Sequence, residues 1–161
     1  MSIYERESKK GSIPPFYIDI KKSTIPGSGD GVFAACDIPK GVTIGEYLGK
    51  IYKGSAMDRA TGDYLFYVSG AEPKIIDGKT KKHSSWVRYV NSPQTWEAGN
   101  AYFYQYDGRI FIKTKKNIPA GQEIFAYYGD GYIDDKLRQY FSKKTKPKIS
   151  EKMRGIKCMH T

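Results

Sequence analysis

Short apolar runs, separated by glycine, proline and charged residues, recur along most of the chain. Residues 16–21 alternate apolar and polar positions, which is the pattern of a half-buried strand. Similar runs follow at 32–36, 42–51, 63–68, 101–106, 109–114 and 123–128. No period repeats along the chain and strands do not alternate with helices, so the pattern predicts a compact, mainly β domain.

Turn signals divide these runs. Asp107-Gly108 lies between two strand-like runs and predicts a β-hairpin, because this dipeptide favours the left-handed turn that tight hairpins require. Little helix is expected. Ser55 is a candidate N-cap for a short helix over residues 55–61, and residues 133–141 can form one or two helical turns.

Length and charge predict how the chain is divided. A length of 161 residues fits one domain with short extensions. The net charge is +10, yet residues 143–157 hold seven Lys or Arg and a single Glu, so much of the excess lies in one segment. We predict a flexible leader at 1–15, a folded domain at 16–132, a helical segment at 133–142 and a basic tail at 143–161.

The remaining composition argues against several classes of protein. Cys36 and Cys158 are too few and too far apart for a disulfide framework, and the two histidines do not complete a zinc site. No apolar stretch approaches ~18 residues and the N-terminal residues are too polar for a signal peptide. We therefore expect an intracellular protein without a membrane span or a metal. The loop 27–31 lacks the third glycine of a dinucleotide-binding motif, because Val32 stands in its place.

Four stretches in a fixed order resemble a known family. They are the glycine-rich loop 27–34, Glu46-Tyr-Leu-Gly49, residues 86–91 and residues 123–129. With the preceding serine, the third becomes the run 85–91, Ser-Trp-Val-Arg-Tyr-Val-Asn. Together they resemble the SET domain of protein lysine methyltransferases, and the run 85–91 is especially similar to its PR subtype. The resemblance implies a SET-domain fold of several small sheets with a pseudoknot near the C-terminus. It also implies S-adenosylmethionine as methyl donor, S-adenosylhomocysteine as product and a protein lysine, expected on histones, as substrate.

The resemblance also implies which residues form the site. Cofactor binding falls on Ser28, Gly29, Asp30, Gly31, Tyr64, Trp86, Asn91 and Ser92. The loop 28–31 would hold the cofactor through backbone groups, and glycines suit it because a side chain would keep the ligand away. Trp86 would pack near the purine or serve as a core tryptophan. Tyr128 matches the family's catalytic tyrosine, and Tyr47 matches a second tyrosine of the channel or is an ordinary strand residue.

The substrate channel is implied at Phe103, Ile112, Ala126 and Tyr127. Tyr127 immediately precedes Tyr128, so its side chain should point to the opposite face and pack. Ala126 and Ile112 stand where the family often has aromatic residues. Both changes remove bulk, so we expect a roomier channel that accepts mono- or dimethyllysine, unless Phe103 or Tyr104 fills the space.

Three functions remain open from the sequence. The first is an active lysine methyltransferase in the nucleus or on chromatin, with Tyr132 and residues 133–141 closing the site and the 143–157 segment touching nucleic acid non-specifically. The second is a non-catalytic PR module that binds proteins, which Ile112 favours and Tyr128 opposes. The third is a basic nucleic-acid-binding β domain, which is disfavoured because the aromatic residues alternate like a core.

Overall fold

Three small antiparallel sheets carry the chain over residues 18–128, the range that the computed structural model describes. The strands are β1 (Ile18–Lys22), β2 (Asp30–Ala34), β3 (Thr43–Glu46), β4 (Lys50–Lys53), β5 (Leu65–Val68), β6 (Lys74–Asp77), β7 (Ala101–Tyr106), β8 (Arg109–Thr114) and β9 (Glu123–Ile124). The sheets have the orders β1-β2-β9, β3-β8-β7 and β4-β6-β5. The prediction of a mainly β domain of several small sheets is confirmed.

The β7–β8 hairpin sets the inner face of the central sheet. Its turn residues Asp107 and Gly108 have φ angles of 51° and 71°, the left-handed pair that a two-residue turn needs, so the predicted hairpin is confirmed. Phe103 pairs with Ile112 across the hairpin, and both are fully buried. Because alternate residues of a strand point to opposite faces, this register directs both side chains into the core.

The run 42–51 forms two strands in different sheets, where the sequence pattern predicts one. β3 pairs with β8, whereas β4 pairs with β6. The chain crosses between the sheets at Gly49, where an added Cβ would lie 2.2 Å from the carbonyl oxygen of Asp77. The change of partner is invisible in a pattern of apolar residues, since each half of the run reads as a strand.

β6 is a strand that the sequence pattern does not indicate. It is the central strand of its sheet, and the consecutive residues Ile75 and Ile76 are both buried. A strand covered on both faces loses the alternation on which the prediction depends.

The helices of residues 18–128 are two short 3-10 turns, and none in this range is long and apolar enough to cross a membrane. The first, Gly54–Arg59, has Lys53 as its N-cap and no side-chain cap, so the N-cap assigned to Ser55 is wrong. The second is Trp86–Tyr89. The Ser85 hydroxyl caps it by accepting the N–H of Val87.

The last described segment, residues 123–128, pairs with three other parts of the chain. β9 pairs with β2 over two residues, and the chain then forms single parallel bridges from Phe125 to Asn91 and from Ala126 to Ala101. The strand predicted over 123–128 is therefore shorter, because its second half has different neighbours. Later residues of the predicted pseudoknot, like the segments at 1–15, 133–142 and 143–161, lie outside the described residues, and the domain boundaries stay predictions.

Replacing Gly49 by alanine should destabilise this fold. The added Cβ would lie 2.2 Å from the Asp77 carbonyl oxygen and 2.8 Å from the Gly78 nitrogen, and backbone atoms cannot rotate aside. We expect the free energy of unfolding in urea to fall by about 2–3 kcal/mol. Gly54→Asn is the control, because asparagine tolerates its φ of 55° and an added Cβ there meets nothing within 4 Å. Equal stability of the two variants would contradict the crossing at Gly49.

Candidate functional site

A pocket of about 380 Å³ gathers the predicted cofactor and catalytic residues from distant parts of the chain. Seven of those predicted from the sequence line it: Ser28, Gly29, Asp30, Tyr47, Tyr64, Asn91 and Tyr128. The remaining lining residues are Asp63, Phe66, Arg88, Tyr89 and Val90. Loop, strand and 3-10 helix therefore converge on one cavity, as the resemblance implies.

Other predicted residues are buried and do not line the pocket. Trp86 is fully buried and is not among the lining residues. Phe103, Ile112 and Ala126 are also fully buried, and Tyr127 is 7 % exposed. The contact of Trp86 with a purine and the channel roles of the other four stay predictions.

The loop before β2 takes its shape from glycine. Gly27 and Gly29 have φ angles of 77° and 69°, and the N–H of Ser23 donates to the Gly29 carbonyl at 2.8 Å, which closes the loop. A Cβ added at Gly29 meets nothing within 4 Å, so this glycine is needed for its backbone conformation. Ser28, Gly29 and Asp30 are exposed along the pocket edge.

Gly31 has a different reason to be glycine. A Cβ at this position would lie 2.1 Å from a carboxylate oxygen of Glu123 and 3.2 Å from the Cβ of Ser23. The space is therefore filled by the protein itself, and Gly31 is not among the pocket-lining residues. The sequence pattern identifies Gly31, but only the fold shows that the neighbouring Glu123 requires a glycine there.

Glu123 is a buried carboxylate that ties the loop to β9. It accepts hydrogen bonds from the Ser23 hydroxyl at 2.7 Å, the Thr24 N–H at 2.8 Å and the Thr24 hydroxyl at 2.6 Å. The Asn91 amide donates a fourth at 3.3 Å. Burial raises the pKa of Glu123, but the hydrogen bonds from Thr24, Ser23 and Asn91 outweigh it and hold the pKa below the usual glutamate value.

Asn91 and Ser92 join the loop to the catalytic tyrosine candidate. The Asn91 amide donates to the Asp30 carbonyl at 2.9 Å as well as to Glu123. The Ser92 hydroxyl oxygen accepts the backbone N–H of Tyr128 at 2.9 Å. Asn91 also lines the pocket, whereas Ser92 does not, so Ser92 acts on the pocket by placing Tyr128.

The hydroxyl groups of Tyr47 and Tyr128 both donate hydrogen bonds to backbone carbonyls. The Tyr47 hydroxyl donates to the Tyr64 carbonyl at 2.6 Å, and the Tyr128 hydroxyl donates to the Val90 carbonyl. Both rings pack against Phe66 and Phe103: Tyr47 lies 4.6 Å from Phe66 between centroids, and Tyr128 stacks on Phe103 at 5.6 Å. Each tyrosine oxygen is thus held at a fixed place by the carbonyl that accepts its proton.

Arg88 lines the pocket and also contacts the neighbouring turn. Its guanidinium lies 4.6 Å from the ring centroid of Tyr64 and 4.7 Å from that of Tyr89. It also donates to the carbonyl oxygens of Gly78 and Lys79, at 2.7 and 2.9 Å. Arg88 therefore has both roles, since it fixes a neighbouring turn and places a cation on the pocket wall.

The other newly found pocket residues had weak signals in the sequence. Asp63 precedes Tyr64, and Tyr89 and Val90 fall inside the matched run 85–91. Phe66 follows Tyr64 by two residues, so both share a face of an extended chain. Within residues 18–128 no group of three His, Cys, Asp or Glu side chains is arranged to hold a metal ion.

The fold and sequence resemble those of PR and SET methyltransferase domains. The family profile of the PR domain of PR domain zinc finger protein 2 matches residues 18–139. The solved methyltransferase domain of human PR domain-containing protein 2 is 26% identical with a TM-score of 0.61, over 70% of this chain and 77% of that one. The predicted SET-domain fold is thereby confirmed.

Two curated relatives share part of their length with this chain. Histone-lysine N-methyltransferase set-17 of Caenorhabditis elegans is 35% identical over 73% of this chain and 43% of that protein. Histone-lysine N-methyltransferase PRDM7 of Homo sapiens is 34% identical over 75% of this chain and 25% of that protein. The chain therefore spans less than half the length of either relative.

The lowered pKa of Glu123 predicts how stability depends on pH. A group whose folded-state pKa lies below its unfolded value stabilises the fold above the unfolded pKa, and this stabilisation is lost as pH falls through the folded pKa. Glu123→Gln should therefore lower the free energy of unfolding by about 2 kcal/mol at neutral pH, because an amide cannot accept from every donor. The difference from wild type should shrink on acidification below about pH 4.

Urea unfolding across pH measures this effect. Glu72→Gln is the matched control, because Glu72 is exposed and should change stability little at any pH. A difference between Glu123→Gln and wild type that stays constant down to acidic pH would show that the charge of Glu123 does not matter.

Proposed function

Because this chain belongs to the PR-domain family, we propose that it transfers a methyl group from S-adenosylmethionine to the side-chain amine of a protein lysine. Histone tails are the substrate class we favour, since set-17 and PRDM7 are histone-lysine methyltransferases by name. The observation that carries the proposal is the pocket itself. It combines a glycine-shaped loop with two tyrosine oxygens that are fixed by backbone carbonyls.

The pocket fits an amino-acid-containing cofactor. A volume of about 380 Å³ lies within the range of small-molecule sites. The wall includes two acidic residues, Asp30 and Asp63, and one basic residue, Arg88, which match the ammonium and carboxylate of a methionine moiety. The 28–30 edge and Asn91 offer backbone and amide groups for the adenosine part. Bound there, S-adenosylmethionine supplies an electrophilic methyl group.

The aromatic wall favours a neutral lysine. Free lysine has a pKa of ~10.4, so its amine is mostly protonated and unreactive at neutral pH. Phe66, Phe103 and the rings of Tyr47 and Tyr128 form a contiguous cluster beside the pocket. Such a surface solvates an ammonium poorly and lowers the pKa of a lysine that enters it.

The two tyrosine oxygens orient that amine. Since both hydroxyl protons are donated to carbonyls, Tyr47 and Tyr128 offer acceptors to the substrate. A neutral amine has two N–H groups and one lone pair. Donating its N–H groups to these oxygens would leave the lone pair directed at the methyl group. Alignment of this kind supplies up to ~7–11 kcal/mol of the barrier reduction.

The proposal extends to the methylation state of the product and to the location of the protein in the cell. Ile112 and Ala126 carry less bulk than the aromatic residues found there in the family, which supports a channel that reaches higher methylation states. We place the protein in the nucleus, on chromatin, because histones are its proposed substrate. Contact of the 143–157 segment with nucleic acid, and closure of the site by residues 133–141, concern residues outside the described range.

A non-catalytic PR module that binds proteins is the second candidate, and one feature favours it. Ile112 replaces a channel tyrosine of the subtype and is fully buried. A module of this kind has no need of a cofactor, whereas the methyltransferase proposal requires one.

Calorimetry with S-adenosylmethionine separates the two candidates. We expect the wild-type chain to bind it, and Asn91→Ala to weaken binding by about tenfold through loss of the amide that holds the Asp30 carbonyl. Asn117→Ala is unsuitable as a control, because the Asn117 side-chain oxygen accepts the backbone N–H of Lys40. Gln94→Ala is suitable, since Gln94 is exposed. An absence of heat with wild type would favour the protein-binding module.

Tyr128→Phe should reduce methyl transfer by about 100-fold or more while cofactor binding is retained. The ring still packs on Phe103, so the pocket keeps its shape, but the oxygen that accepts an amine N–H is lost. Mass spectrometry of a histone-tail peptide measures the rate and the methylation state. Tyr106→Phe is the matched control, because Tyr106 is 70% exposed at the end of β7, and it should behave as wild type. Undiminished turnover in Tyr128→Phe would remove Tyr128 from the mechanism.

A further inference from the structure

A basic turn, residues 79–83, contacts the pocket residue Arg88 through the Lys79 carbonyl. Lys79, Lys81 and Lys82 fall within four residues, and every residue from 79 to 83 is exposed. No Asp or Glu occurs between Gly78 and Trp96. Positive charge is therefore concentrated in this segment, and the nearest carboxylate before it in sequence is that of Asp77.

Hydrogen bonds hold the backbone of this turn. The side chain of Asp77 accepts the N–H of Lys79 at 2.9 Å. The N–H groups of His83 and Ser84 donate to the carbonyl of Thr80, at 3.0 and 3.1 Å. The lysines thus project from a folded turn and not from an irregular loop, so less backbone entropy is lost when a partner binds.

Arg88 connects the basic turn to the pocket. It donates to the Gly78 and Lys79 carbonyls, and it also lies on the pocket wall over the Tyr64 ring. A partner on the turn would therefore stand next to the lysine-accepting cavity. Lys50 adds a further exposed cation at the start of the turn, because it is the β-sheet partner of Asp77.

We propose that the basic turn, together with Lys50, binds the phosphate backbone of duplex DNA and so holds the enzyme on nucleosomes while the pocket takes a histone tail. The part about histone tails rests on the proposed function, whereas the DNA contact does not. Duplex DNA carries about one negative charge per 1.7 Å of axis, and lysine ammonium groups bind phosphates as point charges without regard to sequence. Clustered lysines without a groove match this uniform polyanion better than they match one acidic peptide.

Anisotropy of a labelled random-sequence duplex, titrated with the full chain at several salt concentrations, tests the contact. The combined substitution Lys79→Gln, Lys81→Gln and Lys82→Gln should weaken binding at least about tenfold and reduce the slope of log affinity against log salt by roughly 2–3. The control is Lys22→Gln, Lys40→Gln and Lys53→Gln, the same charge change at exposed lysines away from the turn. It should weaken binding far less.

Three results would overturn the proposal: wild-type affinity in the first variant, equal losses in both variants, or competition by polyglutamate as effective as by DNA at equal charge. Methylation of a free histone-tail peptide should be unchanged in both variants, while nucleosome methylation should fall in the first alone. If the wild-type chain methylates no peptide, the proposed function fails, yet the DNA titration still decides the contact at the basic turn.

Discussion

The carboxylate of Glu123 is the interaction on which the arrangement of the pocket depends. A buried carboxylate is costly unless donors surround it, and this one is held by Ser23, Thr24 and Asn91. These donors come from the loop before β2 and from the segment after the second 3-10 helix. One side chain on β9 therefore fixes the three segments that meet at the pocket, and Gly31 leaves the space that the carboxylate fills.

The backbone pairing of the segment that begins with β9 also positions Tyr128, the candidate catalytic residue. Phe125 and Ala126 form bridges to Asn91 and Ala101. Two residues after Ala126, the N–H of Tyr128 donates to the Ser92 hydroxyl oxygen. Its ring is then stacked on Phe103, and its hydroxyl reaches a backbone carbonyl. The position of Tyr128 is thus a consequence of backbone pairing, which is stiff, and an aromatic stack, which limits rotation of the ring. Both are what an orienting group in a displacement reaction needs.

Arg88 connects the basic turn to the pocket. Its guanidinium donates to the carbonyls of Gly78 and Lys79 and lies over the Tyr64 ring on the pocket wall. A contact that shifts the turn would therefore move a charged group of the pocket.

The sequence by itself determined the class of fold and most of the residues that converge. Asp107-Gly108 specified its hairpin, because turn chemistry is local. The ordered motifs located Gly29, Asn91 and Tyr128, which line one pocket. Local patterns failed at β6, whose buried isoleucines do not alternate, and at Gly49, where the chain changes sheets. They explained Gly31 by the cofactor and not by the Glu123 carboxylate, which leaves no room for a side chain there. They also gave no pocket role for Asp63 or Phe66. These depend on contacts between segments far apart in sequence, such as Glu123 with Ser23, and only the tertiary structure decides which side chains such contacts bring together.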